Sequence, residues 1–278
     1  MATHQDATPA LSDSRVQTHF DHHVSLYVDK ELEIYRVLSM ERIDLLKQSL
    51  PCDSTVSLRM LDVGCGGGMF MDLFLGAFPN ATAVGVDFSP GMLRENSPSA
   101  RKQLLQGDAL DLPSQLGQFN VINVDTLMHH LVKRSSYSGT IRQIRQFLES
   151  LHPLLLPGGV VMIREIYHEY LGVETLGSRL VFELSTLQLP KLAEQLLKRL
   201  GIQSSNAGVC FLSRAQWHKL FEEAGFSVTA TQDKPWSMQS YRRYGFKASG
   251  DLHYILGSRR RAGRSSQAIQ SKHFVDEF

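Results

Sequence analysis

Leu61-Asp62-Val63-Gly64-Cys65-Gly66-Gly67-Gly68 is the stretch on which the reading of this chain turns. Leu58 to Val63 is a short apolar run that reads as a buried strand. Gly64 to Gly68 reads as a glycine loop, and Met69 to Phe78 as a helix closed by Pro79 and Asn80. A glycine loop between strand and helix lets backbone approach a ligand closely, a device shared by several nucleotide cofactors. Two details narrow it. The dinucleotide fingerprint Gly-x-Gly-x-x-Gly asks for a third glycine where Met69 stands. Asp62 lies at the strand end just ahead of the loop, where an acid would repel a pyrophosphate and suits a ligand carrying an ammonium group.

Outward from this stretch, strands and helices alternate. Ala83 to Val86 is the next strand, ending at Asp87, and Ser89-Pro90 reads as a helix start with Ser89 as cap. Gln103 to Leu105 is a short strand before Gly107-Asp108. Phe119 to Val124 is a strand followed by the Asp125 to Leu131 segment. Thr140 to Leu151 is a helix, Pro157-Gly158-Gly159 a turn and Val160 to Ile163 a strand. The repeated alternation predicts a doubly wound parallel sheet. Ligands of such sheets bind at the carboxyl ends of the strands, and Asp62, Asp87 and Asp108 all fall there. A carboxylate at position 87 can accept both hydroxyls of a ribose.

These stretches together resemble the motifs of class I S-adenosylmethionine-dependent methyltransferases. Asp62, Gly64 and Gly66 match the first motif, in which the acid helps to hold the methionine portion. Val84-Gly85-Val86-Asp87-Phe88-Ser89 resembles the second, which makes Asp87 the ribose ligand and Phe88 the neighbour of adenine. Gly107-Asp108-Ala109 resembles the third, with Asp108 accepting from the adenine amino group and Ala109 offering its backbone amide. Phe119 to Val124 resembles the fourth strand, so that Asp125 faces the methionine end. The resemblance covers Leu58 to Ile163 well and the last two strands more weakly. It implies an α/β, Rossmann-like, doubly wound and mostly parallel seven-stranded sheet, S-adenosylmethionine as cofactor, and methyl transfer.

The remainder of the chain frames this core. Residues 1–14 are polar and read as a flexible N-terminus without a secretory signal. Residues 15–50 read as an N-terminal helical lid, with Tyr27 as the candidate that faces the sulfonium. His22 and His23 are adjacent and diverge on a helix, so no metal site is expected. The core spans 51–257, interrupted by a helical cap at about 171–206 whose Phe182, Leu184, Leu187 and Leu189 form an apolar ceiling over the acceptor or, alternatively, a homodimer contact. Arg214 to Glu223 is a helix capped by Ser213, and Phe226 to Thr231 and His253 to Leu256 are the final strands. Residues 258–278 read as a tail.

Of 278 residues, 42% are hydrophobic and the net charge is +1. A near-neutral chain lacks the basic excess of a nucleic-acid binder, and Arg259, Arg260, Arg261 and Arg264 read as a solvated tail. No apolar run approaches the ~20 residues of a membrane span. Three scattered cysteines, Cys52, Cys65 and Cys210, suit a reduced, cytoplasmic setting.

Catalysis is expected from His129 or His130, which leave the fourth strand at its cofactor end and can take a proton near neutral pH. Glu165, Tyr167 and His168 follow the fifth strand and are candidates for lining the substrate pocket or orienting a base. The expected acceptor is a small molecule methylated on oxygen, nitrogen or carbon. The rivals are a nucleic-acid methyltransferase, a dehydrogenase and a cofactor-binding module without turnover. The first lacks an Asn/Asp-Pro-Pro-aromatic signature at Asp125-Thr126-Leu127, and Met69 and Asp62 weigh against the second.

Overall fold

The computed structural model describes residues 32–50, 57–133, 135–170, 172–187, 208–236 and 246–259. Tyr27 with residues 15–31 of the expected lid, residues 171 and 188–206 of the expected cap, and almost all of the expected tail lie outside them. The chain runs α1 (Leu32–Ser49), β1 (Arg59–Val63), α2 (Met69–Ala77), β2 (Thr82–Asp87), α3 (Pro90–Glu95), β3 (Lys102–Gln106) and β4 (Phe119–Asp125). It continues through α4 (Tyr137–Ser150), β5 (Leu155–Tyr170), α5 (Glu174–Thr186), α6 (Arg214–Glu223), β6 (Phe226–Pro235) and β7 (Phe246–Ser258).

The seven strands form one sheet in the order β3-β2-β1-β4-β5-β7-β6. β1 to β5 pair in parallel, and β7 is antiparallel to both β5 and β6. The order reverses between β1 and β4, which opens a crevice beyond their carboxyl ends. Helices cover both faces, so β1, β2 and β4 are almost continuously apolar rather than alternating. One face packs Leu61, Val84, Ile122 and Val124 against Ile144, Phe147, Trp217 and Phe221. The other packs Met60, Ala83 and Val121 against Ile43, Leu46, Phe70 and Phe74 of α1 and α2.

Two readings of the sequence are revised by the fold. Pro157-Gly158-Gly159 is not a turn ahead of a short strand but lies inside the sixteen-residue β5. Phe119 pairs with Leu155 and Val121 with Val160, so the extra residues are absorbed as a bulge, with Gly158 at φ 78°. The last two strands are also longer than their apolar centres. Alternation of buried and exposed residues carries β6 to Pro235, and β5 and β7 stay paired from Val160–Gly257 to Tyr170–Phe246.

α1 is fastened by its charge. Ser39, Arg42, Ile43 and Leu46 form its buried stripe at helical spacing, and Arg42 is fully buried. Its guanidinium donates to Asp125 Oδ2 at 2.5 Å and to Asn123 Oδ1, and lies 4.7 Å above the Phe70 ring. Arg42→Ala is expected to cost about 3 kcal/mol, because it removes one partner of a buried ion pair. Chemical denaturation of the variant beside the parent measures it.

Candidate functional site

The carboxyl ends of β1, β2 and β4 open on a cavity of about 440 Å³, within the range of cofactor sites. Asp62, Gly64, Gly66, Asp87, Phe88, Asp108, Ala109, Asp125, His129 and His130 all line it. The backbone explains the convergence. Gly64 and Gly66 sit at φ 77° and 49°, which L side chains rarely adopt, and a Cβ on Gly64 would come within 3.3 Å of the Leu127 side chain. Gly68 is the tightest position: at φ 81°, a Cβ there would overlap the Asn96 amide at 2.1 Å.

Asp87 ties the loop to the next helix. Its Oδ2 accepts from Gly66 N at 2.8 Å and its Oδ1 from Ser89 N at 2.9 Å. Ser89 in turn caps α3, its Oγ accepting from Met92 N. Asp108 Oδ1 accepts from Leu110 N, which sets the turn after β3.

At the other end of the cavity lies a buried polar cluster. Asp62 pairs in register with Asn123 of β4, and Asn123 Nδ2 donates to Asp62 Oδ1 at 2.7 Å. Arg42 donates to the amide oxygen of Asn123 and to Asp125. Arg164 donates to Asp125 Oδ1 at 3.2 Å and to Asp251 Oδ1 at 3.0 Å, beneath the Tyr35 ring. Burial pushes the Asp62 carboxyl up to about 7, while the hydrogen bond from Asn123 opposes the rise. Asp125 is held below the ordinary carboxylate range: burial alone would raise it, but the two guanidiniums outweigh that.

After Asp125 the chain turns sharply. Thr126 has φ 46°, the one non-glycine positive φ among the described residues, and its N–H donates to Arg164 O. A β-branched residue there is strained. The turn leads into a single 3-10 turn, Met128–His130. His129 Nδ1 lies 2.8 Å from Glu165 Oε2, and Glu165 Oε1 accepts from Met128 N at 2.6 Å. Burial holds His129 well below the usual imidazole range and pushes Glu165 up to about 8.

The three candidates on β5 separate. Arg164 and Ile166 line the cavity; Glu165 does not, but alternation turns it towards His129. Tyr167 and His168 are away from the lining. Tyr167 is fully buried beneath Arg214, whose guanidinium stands 4.0 Å from its ring and whose Nη2 donates to its hydroxyl. His168 lies two residues further along the strand than Ile166 and is packed among Phe211, Phe246 and Trp236.

The sequence reading passes over Ser39, Arg42, Asn123 and Arg164, and takes Tyr35 only as one of the aromatics of the N-terminal helical lid. Two carried a signal: Arg42 occupies the apolar stripe of its helix, and Asn123 interrupts the run Val121-Ile122-Asn123-Val124. Tyr35, Ser39 and Arg164 need the fold. No cluster of metal-ligating side chains is found among the described residues, and no helix among them is long and apolar enough to cross a membrane.

The donor set fits S-adenosylmethionine: a carboxylate for an ammonium, a second carboxylate at the end of the neighbouring strand for a ribose, and glycines where a side chain would intrude. Residues 61–161 match the family model of a methyltransferase domain. The chain is 31% identical over 112 residues to an uncharacterised methyltransferase of Synechocystis sp., covering 39% of this chain and 47% of that protein, so it spans about half the length of that relative. It is 27% identical over 210 residues to demethylmenaquinone methyltransferase of Lactococcus lactis, covering 73% of this chain and 75% of that one. A SAM-dependent methyltransferase of Leishmania major shares the fold, with a TM-score of 0.59 at 14% identity, covering 88% of this chain and 82% of that one.

Asp62 generates a test of the cofactor's placement. An ammonium favours the ionised carboxylate, so affinity for S-adenosylhomocysteine is expected to rise as pH increases through about 7. Calorimetric titration across that range, with Asp62→Asn alongside, measures it; the variant should bind more weakly and without the rise.

Proposed function

We propose that this chain, a class I S-adenosylmethionine-dependent methyltransferase, methylates a hydroxyl oxygen on a small, uncharged, largely apolar acceptor, with His129 as general base and Glu165 as the residue that orients it. The observation that carries this reading is the buried His129–Glu165 contact of 2.8 Å on the wall of the same cavity.

The bound cofactor supplies an electrophilic methyl group on a sulfonium. Asp62 would take its ammonium, Asp87 its ribose, and Asp108 with Ala109 its adenine. The chain's own task is to bring a nucleophile into line, exclude water and remove a proton. A hydroxyl is a poor nucleophile until its proton leaves. Glu165 occupies Nδ1 of His129, so Nε2 is the nitrogen left to take that proton. The Glu165 carboxylate then lies beside the imidazolium that forms.

Two features favour an uncharged acceptor. Leu127, Leu131, Ile166 and Phe70 give the cavity apolar walls. Arg164, the arginine that lines it, is already shared between Asp125 and Asp251, so an anionic acceptor would have to displace a carboxylate. The small-molecule acceptor in the name of the Lactococcus relative supports the same class.

The mechanism fixes the sign of a pH effect. Below about pH 8, Glu165 carries a proton that it offers to Nδ1, and Nε2 then bears the ring proton and cannot accept another. Above it, the carboxylate takes Nδ1–H and frees Nε2. Turnover is expected to rise with pH through about 8, and Glu165→Gln to abolish that rise. His129→Ala should lower kcat by about 10²–10⁴-fold while leaving affinity for S-adenosylhomocysteine unchanged. Transfer of radiolabelled methyl from S-adenosylmethionine to a panel of phenols and aliphatic alcohols measures both. Undiminished turnover by His129→Ala would overturn the assignment.

A further inference from the structure

α5 carries two apolar faces. One is buried. Phe182 packs edge-on against Tyr137 with ring centroids 5.6 Å apart, Ser178 Oγ donates to Gln216 Oε1, and Ser185 Oγ bonds the backbone of Val209. Gly177, where a Cβ would collide with Tyr170, holds the helix close to β5. This face fixes α5 to the body of the protein.

The other face points outward. Leu176, Leu180 and Leu184 are 65%, 60% and 50% exposed, and Val173 and Leu187, the residues that flank the helix, continue the stripe at 63% and 50%. A contiguous aliphatic stripe of this length on a rigid helix marks an interaction surface.

The spacing of the stripe says what covers it. Its intervals are three, four, four and three residues, so it is palindromic about Leu180. A two-fold axis through Leu180, perpendicular to the helix, lays two copies of α5 antiparallel. Leu180 then meets Leu180 once, on the axis, while Leu176 meets Leu184 and Val173 meets Leu187, each of these pairs occurring twice. That self-complementarity is what an isologous contact requires and what an unrelated partner does not. The charges agree. Arg179 and Glu183 form an exposed pair at 3.6 Å along one edge of the stripe. The same axis brings that edge against its own copy in reverse, with Arg179 of each chain beside Glu183 of the other.

We propose that the outward face of α5 is a homodimer interface, two copies of this chain pairing antiparallel about Leu180. The inference is independent of the acceptor and of His129.

The test is the mass of the full chain in solution, by light scattering over a wide range of concentration. The parent is expected to reach twice the chain mass. Leu180→Glu, an exposed position whose change enters the interface twice, is expected to raise the dimer dissociation constant by at least about a hundredfold with unchanged affinity for S-adenosylhomocysteine. Mild oxidation of Leu180→Cys should link two copies through a disulfide on the axis. In the proposed register, the two Leu176 positions stand eight helical residues apart, about 12 Å, so Leu176→Cys is out of disulfide reach. Cys65 and Cys210 are buried, and the parent chain controls for background linkage. A parent that stays monomeric throughout, a Leu180→Glu variant that still dimerises, or equal linkage at positions 176 and 180 would overturn the proposal.

Discussion

Asp125 holds the carboxyl end of β4 between two buried guanidiniums, and the rest of the site depends on it. Arg42 reaches it from α1 and Arg164 from β5, so one carboxylate joins the N-terminal helix, the sheet's point of reversal and the strand that carries Glu165. Asp251 shares the second guanidinium and Asn123 the first. Removing such charges from water is costly and is repaid only when every member is paired. A network of this kind is therefore a poor source of net stability and a good source of fixed geometry. Here the geometry it fixes is the floor of the cavity and the turn that presents His129.

The same cluster divides electrostatic work between two carboxylates one strand apart. Asp125 faces two cations and stays ionised. Asp62 faces an amide and stays close to neutrality, ready to ionise when a cation arrives. Two groups of one chemical kind thus take different roles through their surroundings. Strain adds to the arrangement: Thr126 accepts a left-handed backbone so that the chain can leave β4 and bring Leu127 over Gly64 and His129 to the cavity wall.

Much of this is legible in the sequence because cofactor contacts in this fold are local. The acids and glycines stand at strand ends, and strand ends can be read from apolar runs and glycine loops. Ser89 and Ser213 cap α3 and α6 as their positions suggest. What escapes is non-local. Arg42 and Asp125 are 83 residues apart, and nothing in either neighbourhood names the other. Tyr167 and His168 look equivalent to Glu165 in sequence, yet alternation and the length of β5 send them to an arginine and an aromatic cluster. Pro157-Gly158-Gly159 reads as a turn because local preference cannot show that β4 pairs on both sides of it.

The proposed reaction requires one cavity to serve both the cofactor and the proton transfer. A crystal structure of the chain with S-adenosylhomocysteine tests that most directly. The ammonium is expected beside Asp62, the ribose hydroxyls on Asp87, and the sulfur facing the part of the cavity walled by His129 and Ile166. A nucleoside bound elsewhere, or a sulfur directed away from His129, would contradict it.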